Sequence, residues 1–371
     1  MLDKEKIIND SIGILLDKNI PLTDKFRAVF TLRNIGGKKA IDSICKCIEI
    51  ESSVLLKHEC AYCLGQMKDS YSIPKLLEIL SDEKVEIIVR HEAAEAIAAI
   101  GEESTLVINT LKKYIQHTNK ELKETCYLAL RRFSWLKECK EKRNSIKNPS
   151  FSYDGSIISY DTIDPTPSLQ SDFSLNPDNV DPSYLLTMSE RILKDPEADL
   201  YDRYKAIFTL RDIGTDDAVE IMAQVLADPK NTQSYLLKHE LAFVMGQMQN
   251  PICLLPLKER LSDKTDHCMV RHECAEAIGS IIGYLNANPT SGGTSENILN
   301  FSIILQDVNN QIGEVGANQR RNIDDIPNLA KSYENLLKYY LTDPEPLVKE
   351  SCAIALDISD YISDSQQFNM L

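Results

Sequence analysis

The sequence predicts an all-α protein, an α-solenoid of eight helical hairpins in two pseudo-symmetric halves of four. Three observations carry this. Apolar residues recur at helical spacing along the chain, with no run of the strict alternation that marks a half-buried strand. Phe26, His58, His91 and Lys123 occupy equivalent positions at steps of 32, 33 and 32 residues. At that period each helix-turn-helix unit buries its apolar face by stacking on its neighbours. The pattern then returns: Lys25-Phe26-Arg27-Ala28-Val29-Phe30-Thr31-Leu32-Arg33 is mirrored by Arg203-Tyr204-Lys205-Ala206-Ile207-Phe208-Thr209-Leu210-Arg211, and Leu55-Leu56-Lys57-His58-Glu59 by Leu236-Leu237-Lys238-His239-Glu240.

Taken in order, residues 3–17 place Ile7, Ile8, Ile12, Leu15 and Leu16 on one stripe. The second helix has Thr23-Asp24 as its N-cap and stops at Gly36-Gly37. Residues 38–50 and 53–67 form the next pair, the second helix carrying His58. A helix near 72–80 takes Pro74 in its first turn, where the missing N–H costs little. Its partner, 85–100, carries His91 and stops at Gly101. A fourth pair spans 104–116 and 120–135, with Lys123-Glu124 where the other units have His-Glu. In the second half, Glu350-Ser351-Cys352 mirrors Glu124-Thr125-Cys126 at an offset of 226 instead of 181, so about 45 extra residues precede the last unit. The expected organisation is an N-terminal half over 1–142, a flexible linker over 143–182, and a C-terminal half over 183–371. An insertion occupies about 284–327, with a short helix at 298–308. The linker is rich in Pro, Ser and Asp and has no helical period; as a coil it would span roughly 35 Å, enough for one half to swing round to face the other.

The net charge of −15 and pI of about 5.0 argue against nucleic acid or an anionic membrane as a partner and suit a cationic one. Ten cysteines without a framework read as reduced thiols of a cytoplasmic protein. The start, Met1-Leu2-Asp3-Lys4-Glu5-Lys6, resembles neither a secretory signal nor a membrane span.

Candidate chemistry lies in one dipeptide used four times. Of six histidines, four are followed by Glu: His58-Glu59, His91-Glu92, His239-Glu240 and His272-Glu273, with a step of 33 residues from the first histidine to the second in each half. A single His-Glu on a solenoid helix is ordinarily a solvated pair; four at duplicated spacing point to metal or catalysis. Adjacent residues of a helix diverge by about 100°, so His and Glu of one dipeptide are expected to serve different faces. Helices one unit apart pack at about 10 Å, which lets His58 and His91 lean onto one ion with Glu92 or Glu59 completing the set. His239 and His272, with Glu273 or Glu240, do the same in the second half. Imidazole plus carboxylate is a donor mix suited to non-haem iron. A zinc protease would need a second His four residues after the first, but those positions hold Tyr62, Glu95, Phe243 and Glu276.

Glu95 and Glu276, one turn beyond His91 and His272, are candidate ligands or acceptors behind the ligands, or simply solvated or capping carboxylates. Lys57, Arg90, Lys238 and Arg271, each preceding a His, read as outer or surface charges. His117 and His267 read as surface residues. Cys60 and Cys63 suit core packing better than zinc or redox work, and Gly65 and Gly246 suit close helix approach. The competing class is a non-enzymatic scaffold in which the histidines are hydrogen-bonded inner-helix residues. A bilin-lyase-like repeat protein is disfavoured because it would not require two metal sites.

The paired Lys-His-Glu and Arg-His-Glu motifs resemble those of the deoxyhypusine hydroxylase family, HEAT-repeat di-iron monooxygenases. So do Phe30-Thr31-Leu32-Arg33-Asn34-Ile35-Gly36-Gly37, Met269-Val270-Arg271-His272-Glu273-Cys274-Ala275-Glu276-Ala277 and Glu350-Ser351-Cys352. The resemblance spans nearly the whole chain except the linker and the insertion. It implies HEAT-like hairpins, a monomer, and O2-dependent hydroxylation of the deoxyhypusine side chain of translation initiation factor 5A to hypusine. The cofactors implied are two Fe(2+) ions between the halves and an external reductant. Carried onto this sequence, the ligands would be His58, His91 and Glu92 for one ion and His239, His272 and Glu273 for the other, with Glu59 and Glu240 binding the cationic amines of the substrate.

Overall fold

The computed structural model describes residues 4–145, 162–172, 180–228, 234–288 and 326–363. Among these residues there are sixteen α-helices and no strand. The chain divides into two compact units, Met1–Asp181 with Glu197–Asp212, and Pro182–Pro196 with Ile213–Leu371.

The first unit contains α1 (Lys4–Leu16), α2 (Leu22–Ile35), α3 (Lys38–Ile50), α4 (Val54–Gln66), α5 (Ile73–Ser81), α6 (Ile87–Ile100), α7 (Thr105–Tyr114) and α8 (Lys120–Ser145). Local chemistry sets most of these limits. Ser53 Oγ accepts from Leu56 N at 3.1 Å and starts α4, satisfying one of the orphan donors of a helix N-terminus. Pro74 sits in the first turn of α5, and Gly101 ends α6 in the left-handed conformation at φ 73°. The start of α2 differs from the expectation. The helix begins at Leu22 with Pro21 at the N-cap, and Thr23 and Asp24 lie inside the first turn. Proline carries no side-chain acceptor, so this helix starts without a side-chain cap.

The inner helices α2, α4, α6 and α8 stack in sequence order, each backed by an outer helix. Leu55, Leu56, Cys60, Cys63 and Leu64 of α4, and Val89, Ala93, Ala94 and Ile97 of α6, are fully buried. Burying one such aliphatic side chain contributes about 1.5–3 kcal/mol, so α4 and α6 are held far more by packing than by intrinsic helix propensity.

A Pro-rich sequence excludes a helix but not docking, and residues 162–172 of the segment read as a linker are docked on the first unit. Ile163 N donates to Gln66 Oε1 at 2.9 Å, and Leu169 N to Thr209 Oγ1 at 2.8 Å. Arg211 grips both carboxylate oxygens of Asp164 at 2.8 and 2.6 Å, and Arg132 Nη1 donates to the Asp164 carbonyl. Backbone docking of this kind depends on distant side chains and leaves no periodic trace in the sequence.

The helix α9 (Pro182–Lys194) belongs to the second unit and α10 (Leu200–Ile213) packs almost wholly in the first. The second unit continues with α11 (Asp216–Ala227), α12 (Tyr235–Met248), α13 (Leu254–Ser262), α14 (Cys268–Ala287), α15 (Ile326–Tyr340) and α16 (Pro346–Ser363). It repeats the local devices of the first, with Ser234 Oγ accepting from Leu237 N at 3.0 Å to start α12. The insertion was expected from residue 284, but α14 runs through Ala287 because Leu285 is buried on its inner face. The helix expected at 298–308 lies outside the described residues. Among the described residues, no helix is long and apolar enough to cross a membrane.

Candidate metal centres

His58 and Glu59 sit in the second turn of α4, and His91 and Glu92 in the second turn of α6. All four side chains are buried, against the cost of removing ionisable groups from water.

What draws the two histidines together is the spacing of α4 and α6. A Cβ at Gly65, two turns beyond His58, would lie 2.7 Å from Ala96 Cα and 2.9 Å from Ala96 Cβ. Only a residue without a side chain permits so close an approach. Gly246 repeats this in the second unit, where a Cβ would lie 2.9 Å from Ala277 Cα, as the sequence led one to expect. The ring centroids of His58 and His91 are 5.7 Å apart, and those of His239 and His272 are 5.3 Å apart. Gly65→Ala is therefore expected to force α4 and α6 apart at a cost of about 1–3 kcal/mol, visible as a lower urea midpoint of metal-free protein. An unchanged midpoint would show that the close approach is not needed.

Helix rotation is fixed by the residue before each His, and of the two roles the sequence left open, outer or surface charge, the surface one fails for the arginines. Arg90 and Arg271 are not surface charges: both are buried. Arg90 Nε donates to the Leu80 carbonyl at 3.0 Å, and Arg271 Nε to the Leu261 carbonyl at 2.9 Å. Each takes up a carbonyl in the last turn of the preceding outer helix, which has no partner within its own helix. Arg271 also holds Asp343 at 2.6 and 3.3 Å. Lys57 Nζ lies 3.3 Å from Glu86 at the N-cap of α6, and Lys238 Nζ lies 3.2 Å from Asp266 just before α14. These cations tie adjacent helices together, so the imidazole one residue on is held in one direction. Their role was hidden because a Lys or Arg on a helix is usually solvated and its partner is 10 to 72 residues away.

The result is two groups of three buried or nearly buried side chains, His58, His91 and Glu92, and His239, His272 and Glu273. Within each group one donor atom per residue lies within 4.8 Å of the others. His58 Nε2 is 3.2 Å from Glu92 Oε2, and His239 Nε2 is 3.2 Å from Glu273 Oε2. A divalent ion held at about 2.1 Å by nitrogen and oxygen places neighbouring donors roughly 3 Å apart, so each pair already has the edge length of a coordination sphere. The chemistry of the donor set fits a divalent transition metal: two imidazoles and one carboxylate, too few donors to close the sphere. Without the ion, burial disfavours the charged imidazole of His58, but the carboxylates of Glu92 and Glu59 outweigh it and hold its pKa well above the usual value.

Glu59 corrects a second expectation. Its side chain turns back so that Oε1 lies 3.2 Å from Nδ1 of its own neighbour His58, because the length of a glutamate side chain overcomes the 100° divergence of the two Cα–Cβ bonds. A carboxylate on the ring nitrogen opposite the donor fixes the tautomer of a metal-ligating His. Glu95 and Glu276 are half-buried one turn beyond the second His. Burial, then the Glu92 carboxylate, push Glu95 up to about 8 against the pull of His58 and Arg132.

The remaining candidates fall into structural roles. Cys60 and Cys63 are fully buried, and burial pushes both thiols well above their usual range, which suits core packing. The two other histidines accept backbone N–H groups at helix starts: His117 Nδ1 accepts from Asn119 N at 3.1 Å, just before α8. His267 Nδ1 accepts from Met269 N at 3.2 Å, and its ring stacks on Tyr235.

Fold and site together define an α-solenoid protein carrying two histidine–carboxylate clusters of metal-binding type. The PBS lyase HEAT-like repeat family matches residues 56–82 and 202–228. Deoxyhypusine hydroxylase of Drosophila melanogaster is 36% identical over 349 residues, which cover 94% of this chain and 90% of that protein. The enzyme of Danio rerio is 36% identical, with 95% and 92% covered. The solved structure of human deoxyhypusine hydroxylase in complex with glycerol is 32% identical, with a TM-score of 0.71 and 96% and 97% of the two chains covered. The chain belongs to the deoxyhypusine hydroxylase family.

Proposed function

We propose that this protein hydroxylates the deoxyhypusine side chain of translation initiation factor 5A to hypusine, using two Fe(2+) ions that act as one di-iron centre. The observation that supports this most is the duplicated three-donor cluster in a chain of that family. His58, His91 and Glu92 hold one ion and His239, His272 and Glu273 the other. When bound, the iron pair would supply dioxygen activation, so that with two electrons from an external reductant and two protons one oxygen atom enters a C–H bond and the other leaves as water.

The protein's own part is position and charge. Each cluster supplies one carboxylate to the ion, and the second Glu of each half, Glu59 or Glu240, provides a further buried negative charge. Buried carboxylates favour a cationic partner that replaces lost water, so Glu240, and Glu59 through the carboxylate oxygen other than the Oε1 that faces His58, are suited to the amines of the substrate side chain. Holding those amines fixes which carbon lies beside the ions, the positioning on which selective C–H oxidation depends. The acidic chain as a whole suits a cationic target.

The test separates the two roles. Glu240→Gln is expected to keep iron and to raise KM for deoxyhypusine-bearing factor by about thirtyfold or more, the cost of leaving a charge unpaired at a desolvated contact. Product is read by mass spectrometry as the gain of one oxygen atom. Iron loss in Glu240→Gln equal to that in His239→Ala would contradict the division, and a wild type that oxidises no deoxyhypusine would remove the function.

A further inference from the structure

The two halves differ behind their metal ligands. In the second unit Ser351 Oγ, fully buried on α16, donates to Glu276 Oε1 at 2.7 Å. That carboxylate oxygen and the Ser351 hydroxyl each lie 3.5 Å from His272 Nδ1, at the outer edge of hydrogen-bonding range. The arrangement depends on a close helix crossing: a Cβ at Gly279 would lie 2.6 Å from Ala355 Cα. The aligned residues of the first unit, at the same offsets of 181 and 226, are Ala98 for Gly279, Ala129 for Ala355, Glu95 for Glu276 and Thr125 for Ser351. Ala98 carries the methyl group that the Gly279 crossing excludes. Thr125 Oγ1 donates to the Glu121 carbonyl of its own helix at 3.0 Å. Glu95 neighbours Arg132, whose Nε donates to the Ala98 carbonyl and whose Nη1 donates to Asp164. The duplication has thus kept the ligands while rebuilding what stands behind them.

We infer that Ser351 and Glu276 are positioning residues of the second metal site, a hydroxyl–carboxylate pair that orients His272 from its Nδ1 side, and that Thr125 has no such role in the first. This rests on the proposal that the clusters hold metal. A carboxylate at the far nitrogen fixes the ring and raises the basicity of the ligating nitrogen, and losing such a partner typically lowers metal affinity by about tenfold to a hundredfold. Ser351 acts one step further out, by holding Glu276 in place.

The experiment is anaerobic titration of metal-free full-length protein with Co(2+), reading visible absorption and affinity. His91→Ala isolates the second site and His272→Ala the first. In the His91→Ala background, Ser351→Ala and Glu276→Gln are each expected to weaken Co(2+) binding by about tenfold or more and to shift the absorption band. Ser351→Thr, which keeps the hydroxyl, is expected to restore both. In the His272→Ala background, Thr125→Ala is expected to leave affinity and spectrum unchanged. Far-UV circular dichroism of each variant shows that it is folded. Unchanged binding in Ser351→Ala, or an equal loss in Thr125→Ala, overturns the inference while leaving the metal reading intact. A wild type that takes up no Co(2+) overturns the metal reading itself, and the inference with it.

Discussion

His91→Ala is expected to abolish hydroxylation of deoxyhypusine-bearing factor while leaving the protein folded. The ring of His91 is fully buried, and its removal leaves the first cluster with one imidazole and one carboxylate. Altering a group that merely supports a metal ligand costs about tenfold to a hundredfold in affinity or activity, so loss of a ligand should exceed a hundredfold. The vacated volume also destabilises the chain by about 2–4 kcal/mol, as for other large-to-small core changes. Circular dichroism separates the two effects: native helix content with activity below one-hundredth of wild type supports the ligand role. Retention of more than a tenth of wild-type activity would remove His91 from the metal set. The same substitution at Lys123, which stands at the equivalent position of the fourth unit, should change activity little.

Arg271→Met is expected to be the most destabilising substitution outside the metal clusters, at about 3–5 kcal/mol. The guanidinium and Asp343 are both buried side chains, joined at 2.6 Å, so methionine would leave an unpaired carboxylate in the interior. Asp343 also gives the loss a pH signature. Burial pushes its pKa up, but hydrogen bonds from Arg271 and from the Glu345 backbone outweigh this and leave it below the usual value. A carboxyl whose folded pKa is depressed contributes stability above its unfolded pKa, near 3.9, and loses it as pH falls through the folded value. Urea unfolding should therefore show a wild-type advantage that is full at pH 6 and shrinks below about pH 4. A difference that is constant across that range would mean that the pair contributes only through packing. Arg90 offers an internal comparison, since its guanidinium lies 5.5 Å from the Tyr114 ring and His117 stands where the second unit has Asp343. Its replacement by methionine should cost less.

The helical architecture and the pairing of His58 with His91, and of His239 with His272, were legible in the sequence because both rest on periodicity. Stacked helices demand a repeat near 33 residues, and equivalent side chains on adjacent inner helices inherit the same spacing, as His58 and His91 do. The close crossings at Gly65 and Gly246 were legible for a related reason: glycine inside a helix is costly and signals a neighbour. What could not be read was anything fixed by a partner far along the chain. Arg90 and Arg271 could be read only as outer or surface charges because nothing local announces that Leu80, Leu261 and Asp343 will accept from them. The docking of 162–172 depends on Gln66, Thr209 and Arg211, none of which lies in the docked segment. The turn of Glu59 back onto His58 is a matter of side-chain torsions that helical geometry leaves open. The contrast between Ser351 and Thr125 is smaller still, since both carry a hydroxyl and only the approach of α16 to α14 decides where it points.

Iron bound per chain after anaerobic loading and gel filtration puts the two clusters to direct trial, by comparing wild type with His58→Ala, His239→Ala and the double variant. Two equivalents in wild type, one in each single variant and none in the double are expected if each ion is held by its own three-donor set. Two equivalents retained in the double variant, or none bound by the wild type, would contradict it.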